Sequence, residues 1–355
     1  MRQYYLDDFD ITDYIQINYN ISEQKSIIGQ DNIRISSFDI TLSNINDIFT
    51  PHSPQSIFYG RNVYESKFKI MENNIELYIG RVKKVLSEPS SDISKLTIAS
   101  YIDDIIDRTC IFLYDNITPA EAFYRIMVYY GLLDYIDMHS YYYSKSIQET
   151  QGLYVDIIFY INSTSSISDV LQQLASLSGA DVYFTQGKIG FWVWQDLDLS
   201  SGVAHNLPTR FISGKPQFWN DTNNIRNQYS YTITISSSDY ELFDTYVGAD
   251  SRRIWGERSY NNINLNNSQN IQSVSATALT DAGSNKILRA QNEQHYCKFS
   301  LITGDYNYPF SLNSIFQFED DINDYLGSKI ETAIWEVISQ KISNEYTEIT
   351  AVQIN

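Results

Sequence analysis

Apolar and polar residues alternate most clearly between Phe38 and Val82. Phe38, Ile40 and Leu42 are separated by Asp39 and Thr41, so one face of a strand is apolar and the other polar. A loop with Pro51 and Pro54 follows, and alternation then resumes, with Phe68 and Ile70 set between lysines. Glu72-Asn73-Asn74 predicts a reversal into Ile75, Leu77 and Ile79. This is the pattern of a half-buried antiparallel meander that closes into a small barrel. Residues 95–101 (KLTIASY) add a strand and IDDIIDRT a helical turn. Upstream, residues 14–19 alternate as a strand would, and Ile33-Arg34-Ile35 leads into the meander.

The period changes from two to about 3.6 after residue 116. Thr118-Pro119-Ala120-Glu121 reads as a capping box with proline at the first helical position. Ala122, Phe123, Ile126, Met127 and Tyr130 fall on one face, and Gly131 is the stop. Residues 134–153 are polar and Tyr-rich and predict a loop with marginal helix. Leu153 to Ile161 is an apolar strand. Ser166 opens a second helix with a stripe of Val170, Leu171, Leu174, Ala175 and Leu177, ended by Gly179. A hairpin follows, turning at Gln186-Gly187 between Val182/Phe184 and Ile189/Phe191/Val193.

Strands resume from 209, with Tyr229, Tyr231, Ile233 and Ile235 on one face. Residues 236–274 read as loop-rich and a helix is expected near 280–293, although Gly283 weakens its first turn. Residues 296–303, 314–318, 332–339 and 345–353 read as strands. The fold class is mainly β with an α+β insertion: two small antiparallel β-barrel-like domains separated by an α+β unit. The expected boundaries are 1–112, 113–208 and 209–355.

At 355 residues the chain can carry such cores. No apolar run approaches the length of a membrane span, and residues 1–14 lack the basic and apolar regions of a secretory signal. The net charge of −18 argues against nucleic-acid binding through a basic surface. Cys110 and Cys297 stand far apart and read as buried thiols. The 29 tyrosines fit polar strand surfaces that meet neighbours.

Motifs for chemistry are sparse. His52, His139, His205 and His295 lie in separate segments without a metal-ligand partner nearby in sequence, and neither a metal site nor a cofactor is expected. The acidic groups Asp7-Asp8, Asp103-Asp104, Asp196/Asp198 and Glu319-Asp320-Asp321 read as turn caps and solvated surface rather than a glycosidase pair or a calcium loop. Trp192 and Trp194 could stack on sugars, but alternation with Phe191 and Val193 favours packing. Arg252, Arg253, Trp255 and Arg258 form a loop cluster of the residue types that dominate protein interfaces.

The order of these pieces resembles the baseplate hub proteins of phage tails and of related contractile injection systems. The stretches that carry the resemblance are residues 38–49, 76–85, 95–108, 166–192, 251–261 and 332–353. The helix and hairpin ending in Gly187-Lys188-Ile189, and the Ser251…Trp255-Gly256-Glu257-Arg258 turn before a second helical excursion, are its most specific parts. Trp255 stands where that pattern has tyrosine. The resemblance implies a non-enzymatic virion structural protein, made in the host cytoplasm and placed at the tail tip. It further implies a homotrimeric ring joining a sixfold tail tube to a threefold spike or fibre, with tube, distal-tail and spike or fibre proteins as partners. The alternative is a tail module for host attachment that binds a cell-surface carbohydrate or receptor.

Overall fold

The computed structural model describes residues 2–16, 19–24, 37–87, 91–159, 165–193, 204–235, 240–259, 263–264, 271–274, 284, 287–302, 310–319, 333–343 and 346–354. The first part of the chain supplies β1 (Arg2–Leu6), β2 (Phe9–Asp10), β3 (Ile21–Gln24), β4 (Ser37–Ser43), β5 (Lys67–Glu72), β6 (Ile75–Ser87) and β7 (Ile93–Ala99). Six of them form one sheet in the order β2-β1-β5-β6-β7-β4. The sheet curls until Ile15, just beyond β2, bridges Leu42 on the far edge strand, and Gln16 N–H donates to the Thr41 carbonyl at 2.9 Å. Closure removes an exposed edge. Phe38, Ile40, Leu42, Phe68 and Ile70 all point into this barrel, as their alternation requires, and the Phe38 ring meets Tyr78 edge-on at 5.2 Å. Asn73 and Asn74 take positive φ in the β5–β6 turn. Residues 14–19 do not form the expected strand: 12–14 is a single tight helical turn, and 17–18 lie outside the described residues.

The middle of the chain carries β8 (Phe112–Ile117), α1 (Pro119–Tyr129), α2 (Met138–Gln151), β9 (Val155–Phe159), α3 (Ile167–Ser178), β10 (Ala180–Thr185) and β11 (Lys188–Val193). Three helices and the β10–β11 hairpin share one core, in which Phe123 and Phe191 pack at 5.4 Å. Ser166 and Asp169 form a reciprocal capping box at the start of α3. Thr118 caps α1 by accepting from Glu121 N–H, but the Glu121 carboxylate does not reach back. It turns instead to Arg125, Tyr141 and Lys145. Burial works to raise the Glu121 carboxyl, and these three partners together outweigh it, leaving its pKa below the usual range.

Helix α2 corrects the expected loop over 134–153. Its apolar stripe is weak because the face it buries is polar: Ser140, Ser144 and Gln148 are inaccessible to solvent. The two serines occupy the open edge of β11. Ser140 Oγ accepts from Phe191 N–H at 3.1 Å. Ser144 Oγ donates to the Phe191 carbonyl at 2.7 Å and accepts from Val193 N–H at 2.9 Å. Gln148 Oε1 accepts from Ala120 N–H at 2.8 Å, and Asp137 caps the helix. The helix thus does for β11 what a neighbouring strand would do. Replacing Ser144 with alanine strands two buried backbone groups, and a loss of about 2–3 kcal/mol in urea unfolding is expected. Tyr142→Ala, on the exposed face of the same helix, serves as the near-neutral control.

The last part supplies β12 (His205–Leu207), β13 (Ile212–Asp221), β14 (Gln228–Ile235), β15 (Tyr240–Val247), α4 (Ala249–Trp255), β16 (Ile263–Asn264), β17 (Ile271–Val274), β18 (Gln294–Ile302), β19 (Ile315–Phe318), β20 (Trp335–Ile342) and β21 (Tyr346–Gln353). The second large sheet runs β12-β19-β20-β21-β18-β13. Its core gathers Phe299, Phe310, Phe316, Phe318 and Trp335. A register shift between Val337 and Ser339 splits β20. Its first residues pair with β19, and its last four pair with β3 from the chain's N-terminal end. One short N-terminal segment therefore completes the distant sheet.

The described residues of 236–274, namely 240–259, 263–264 and 271–274, are more regular than their composition suggests. β15 pairs with β14 in unbroken register from Gln228↔Val247 to Ile235↔Tyr240. β17 joins β9 of the middle unit. The Ser251–Arg258 turn is helical over Ala249–Trp255. Within the expected helix near 280–293, residues 287–290 are helical, and Gln291 N–H donates to the Ile287 carbonyl. Among the described residues, no helix is long and apolar enough to cross a membrane.

Candidate functional site

The four residues singled out around α4 play different parts. Asn227, which is buried, organises the corner. Its amide donates to Ser251 Oγ at 3.2 Å and to the Gly256 carbonyl at 2.8 Å, while its Oδ1 accepts from Arg258 N–H at 2.8 Å. Ser251 Oγ in turn donates to the Gln291 carbonyl, and the Arg258 guanidinium to the Thr222 carbonyl. Ser251, Gly256 and Arg258 are therefore held together by one buried amide, and Arg258 points inward. Trp255 is half-buried. Arg252 pairs with Glu257, and Arg253 approaches Asp250 at 3.6 Å with 78% of its side chain exposed. Both arginines sit in the last turn of α4, where a cation suits the helix dipole. Ile254 is 65% exposed and was missed in the sequence because one aliphatic residue between Arg253 and Trp255 sets no period. Arg252 is also exposed but engaged by Glu257, so Arg253 and Ile254 are the corner's most exposed basic and apolar side chains.

Trp192 is 4% exposed. Its ring stacks on Tyr143 at 4.2 Å and 13°, so that face is covered, in line with packing rather than sugar stacking. Trp194 lies outside the described residues. Trp192 borders a cleft of about 340 Å³ with Asp137, His139, Tyr183, His205 and the loop at 311–315. Asp137 Oδ2 is already engaged by the Tyr183 hydroxyl at 2.6 Å. Burial and the neighbouring His139 both hold the His205 imidazole below its ordinary pKa. Among the described residues, no group of three His, Cys, Asp or Glu side chains could hold a metal ion.

The acidic pairs behave as turn and surface groups where they are described. Asp7 Oδ1 accepts from Lys67 N–H at 2.8 Å. Asp103 and Asp104 pair with Lys83 and Arg81 on β6. Asp196, Asp198, Asp320 and Asp321 lie outside the described residues.

Among the described residues, a cluster of polar contacts lies where the two large β units meet the middle unit. The tip of the β10–β11 hairpin, Thr185-Gln186-Gly187, is wedged between them. On one side Ile79 N–H donates to the Gln186 carbonyl at 3.0 Å, and Ser100 Oγ donates to the Gly187 carbonyl at 2.8 Å. On the other side Leu312 N–H donates to Thr185 Oγ1 at 3.1 Å. At the centre Glu23 of β3 accepts from Thr185 Oγ1 at 3.1 Å, from Gln340 Nε2 at 2.6 Å and from the Gln186 N–H. A second polar tie joins Arg289, Asp181 of β10 and Glu336 of β20, all buried.

This arrangement of two curled β units locked around an α+β unit has counterparts among solved structures. A tail protein from Neisseria meningitidis MC58 aligns over 99% of this chain and 95% of its own, with a TM-score of 0.60 at 10% identity. The 43 kDa tail protein of prophage MuSo2 from Shewanella oneidensis aligns over 99% and 98%, with a TM-score of 0.57 at 10% identity. The chain has the fold of phage tail proteins. No family model matches it, and no curated protein matches it in sequence. With one residue in ten shared, the tail-protein fold here is defined by the order and packing of its elements.

Proposed function

We propose that this chain is a structural component of a virion tail, placed at the tail tip or baseplate as a hub. Three copies form a ring whose two barrels per chain give near-sixfold symmetry towards the tube and threefold symmetry towards a spike or fibre. Its neighbours are then tube, distal-tail and spike or fibre proteins. The reading assigns it no turnover. The observation that carries it is coverage: the tail-protein fold accounts for 99% of the chain, both barrels and the middle unit included. The locked junction between the three units supports it, because an adaptor must transmit geometry from one ring to the next without yielding. Arg253 and Ile254 are placed at its contacts with a neighbour, where an exposed cation on a chain of net charge −18 meets an acidic partner surface. No observation favours the carbohydrate-binding alternative, since one face of the Trp192 ring is taken by Tyr143.

Sedimentation of the full chain over a range of concentrations tests this reading. The expected result is a trimer, or a concentration-dependent approach to one, followed by rings in electron micrographs. Arg253→Glu is expected to weaken that association while leaving the unfolding midpoint unchanged at concentrations where both chains are monomeric. A strict monomer at every concentration, alone and with tube and spike proteins, overturns the ring.

A further inference from the structure

Glu23 is a carboxylate in the wrong place for a purely passive role. It is buried, and three hydrogen bonds from neutral donors converge on it from the hairpin tip and from β20. Gln340 stands directly opposite it in the β3–β20 register. The other group of note is the Tyr78 phenol on β6, which burial first and the nearby carboxylate second push up, so it stays neutral. Lys341, the next residue on β20, pairs with Ser22, and strand alternation sends it to the opposite face.

The partner amide has an unused acceptor. Gln340 Oε1 is buried and has no hydrogen-bond partner among the described residues, while its Nε2 donates to Glu23. Rotating that amide by half a turn presents Oε1 to Glu23. The ionised carboxylate is served by the amide as donor, and the protonated acid by the same amide as acceptor. We propose that Glu23 and Gln340 form a proton-operated latch that holds the hairpin tip between the two barrels, closed when Glu23 is neutral and loosened when it is ionised. Burial, opposed by the bonds from Gln340, Gln186 and Thr185, pushes the Glu23 carboxyl up to about 7. The sign follows. An acid whose pKa is raised in the closed state gives stability that is complete below its ordinary value near 4.5 and is lost as pH rises through about 7. The latch goes beyond the hub reading and does not depend on it, since it acts within one chain.

Hydrogen exchange of the full chain between pH 6 and 8, corrected for intrinsic exchange, tests the latch. Amides of the hairpin tip (183–190) and of residues 310–314 are expected to lose about tenfold in protection across that range. Amides of β7 and β21 are expected to hold theirs. Glu23→Gln, which keeps the neutral shape and can donate to the rotated Gln340, is expected to hold the tip closed at every pH. A pH-independent tip in the native chain overturns the proposal, as does a loss that persists in Glu23→Gln. Should that variant fail to fold, the carboxyl carbon resonance of Glu23 in the native chain decides alone. A midpoint near 7 supports the latch and one near 4.5 overturns it.

Discussion

Replacing Gly187 with alanine is expected to destabilise the chain by more than about 3 kcal/mol and to free the hairpin tip from the first barrel. Two costs add. Gly187 has φ of +77°, a region where an L-residue is strained by about 1–2 kcal/mol. A Cβ built there would also lie 1.6 Å from the Ile79 carbonyl oxygen, which is backbone of β6 and cannot step aside. Ile79 N–H donates to the Gln186 carbonyl one residue earlier, so relieving the clash breaks that bond too. Gly60 is the control. It has φ of +70° with nothing within 4 Å of an added Cβ, so Gly60→Ala bears the conformational cost alone, about 1–2 kcal/mol. Denaturant unfolding of the two variants measures the difference. Equal losses would mean that the close approach to Ile79 contributes nothing.

The same hairpin shows where sequence reading succeeds. Val182, Phe184, Ile189, Phe191 and Val193 announce two strands, and Gln186-Gly187 announces the turn, because each rests on neighbours in the chain. Strands β4–β7, α1 and α3 are legible for that reason, although β4 pairs with β7 at the far edge rather than with β5 as a simple meander would have it. What the turn is for is not legible, since Glu23 lies 163 residues from Gln186 in sequence and 317 from Gln340. Helix α2 stayed hidden for a different reason. Beside Tyr141 and Ile147, its fully buried residues are Ser140, Ser144 and Gln148, so hydrophobic period, the main signal for a helix, is weak where the helix is most buried. Strand β15 was masked by the polar text around it, and its register comes from pairing with β14. Among the site residues, the sequence offered Arg258 as an interface candidate and as the end of the hub-like turn; in the structure its backbone and guanidinium brace a corner around Asn227, an amide that carries no motif. The tryptophan reading divides in the same way: alternation placed Trp192 in the core, and Tyr143 covers it.

Arg289→Met is the second large effect, expected to cost about 3–5 kcal/mol because it leaves two buried carboxylates without their shared cation. The guanidinium stands 2.9 Å from Asp181 Oδ2 and 3.7 Å from Glu336 Oε2, and all three side chains are at most 8% exposed. Asp181 belongs to the hairpin, Glu336 to β20 and Arg289 to the helical residues 287–290, so the loss falls on the joint between the middle unit and the second large sheet. Screening by salt will do little to mask it, unlike the exposed pair of Arg253 with Asp250, whose removal is expected to change stability by at most about 0.5 kcal/mol. The decisive comparison is the triple variant with Asp181→Asn and Glu336→Gln added to Arg289→Met. If the cost comes from uncompensated charge, neutralising both acids restores most of the lost stability even though the ion pairs are gone. If the triple variant is as unstable as Arg289→Met, the arginine acts through packing of its stem, and the joint is apolar in its energetics despite its charged appearance.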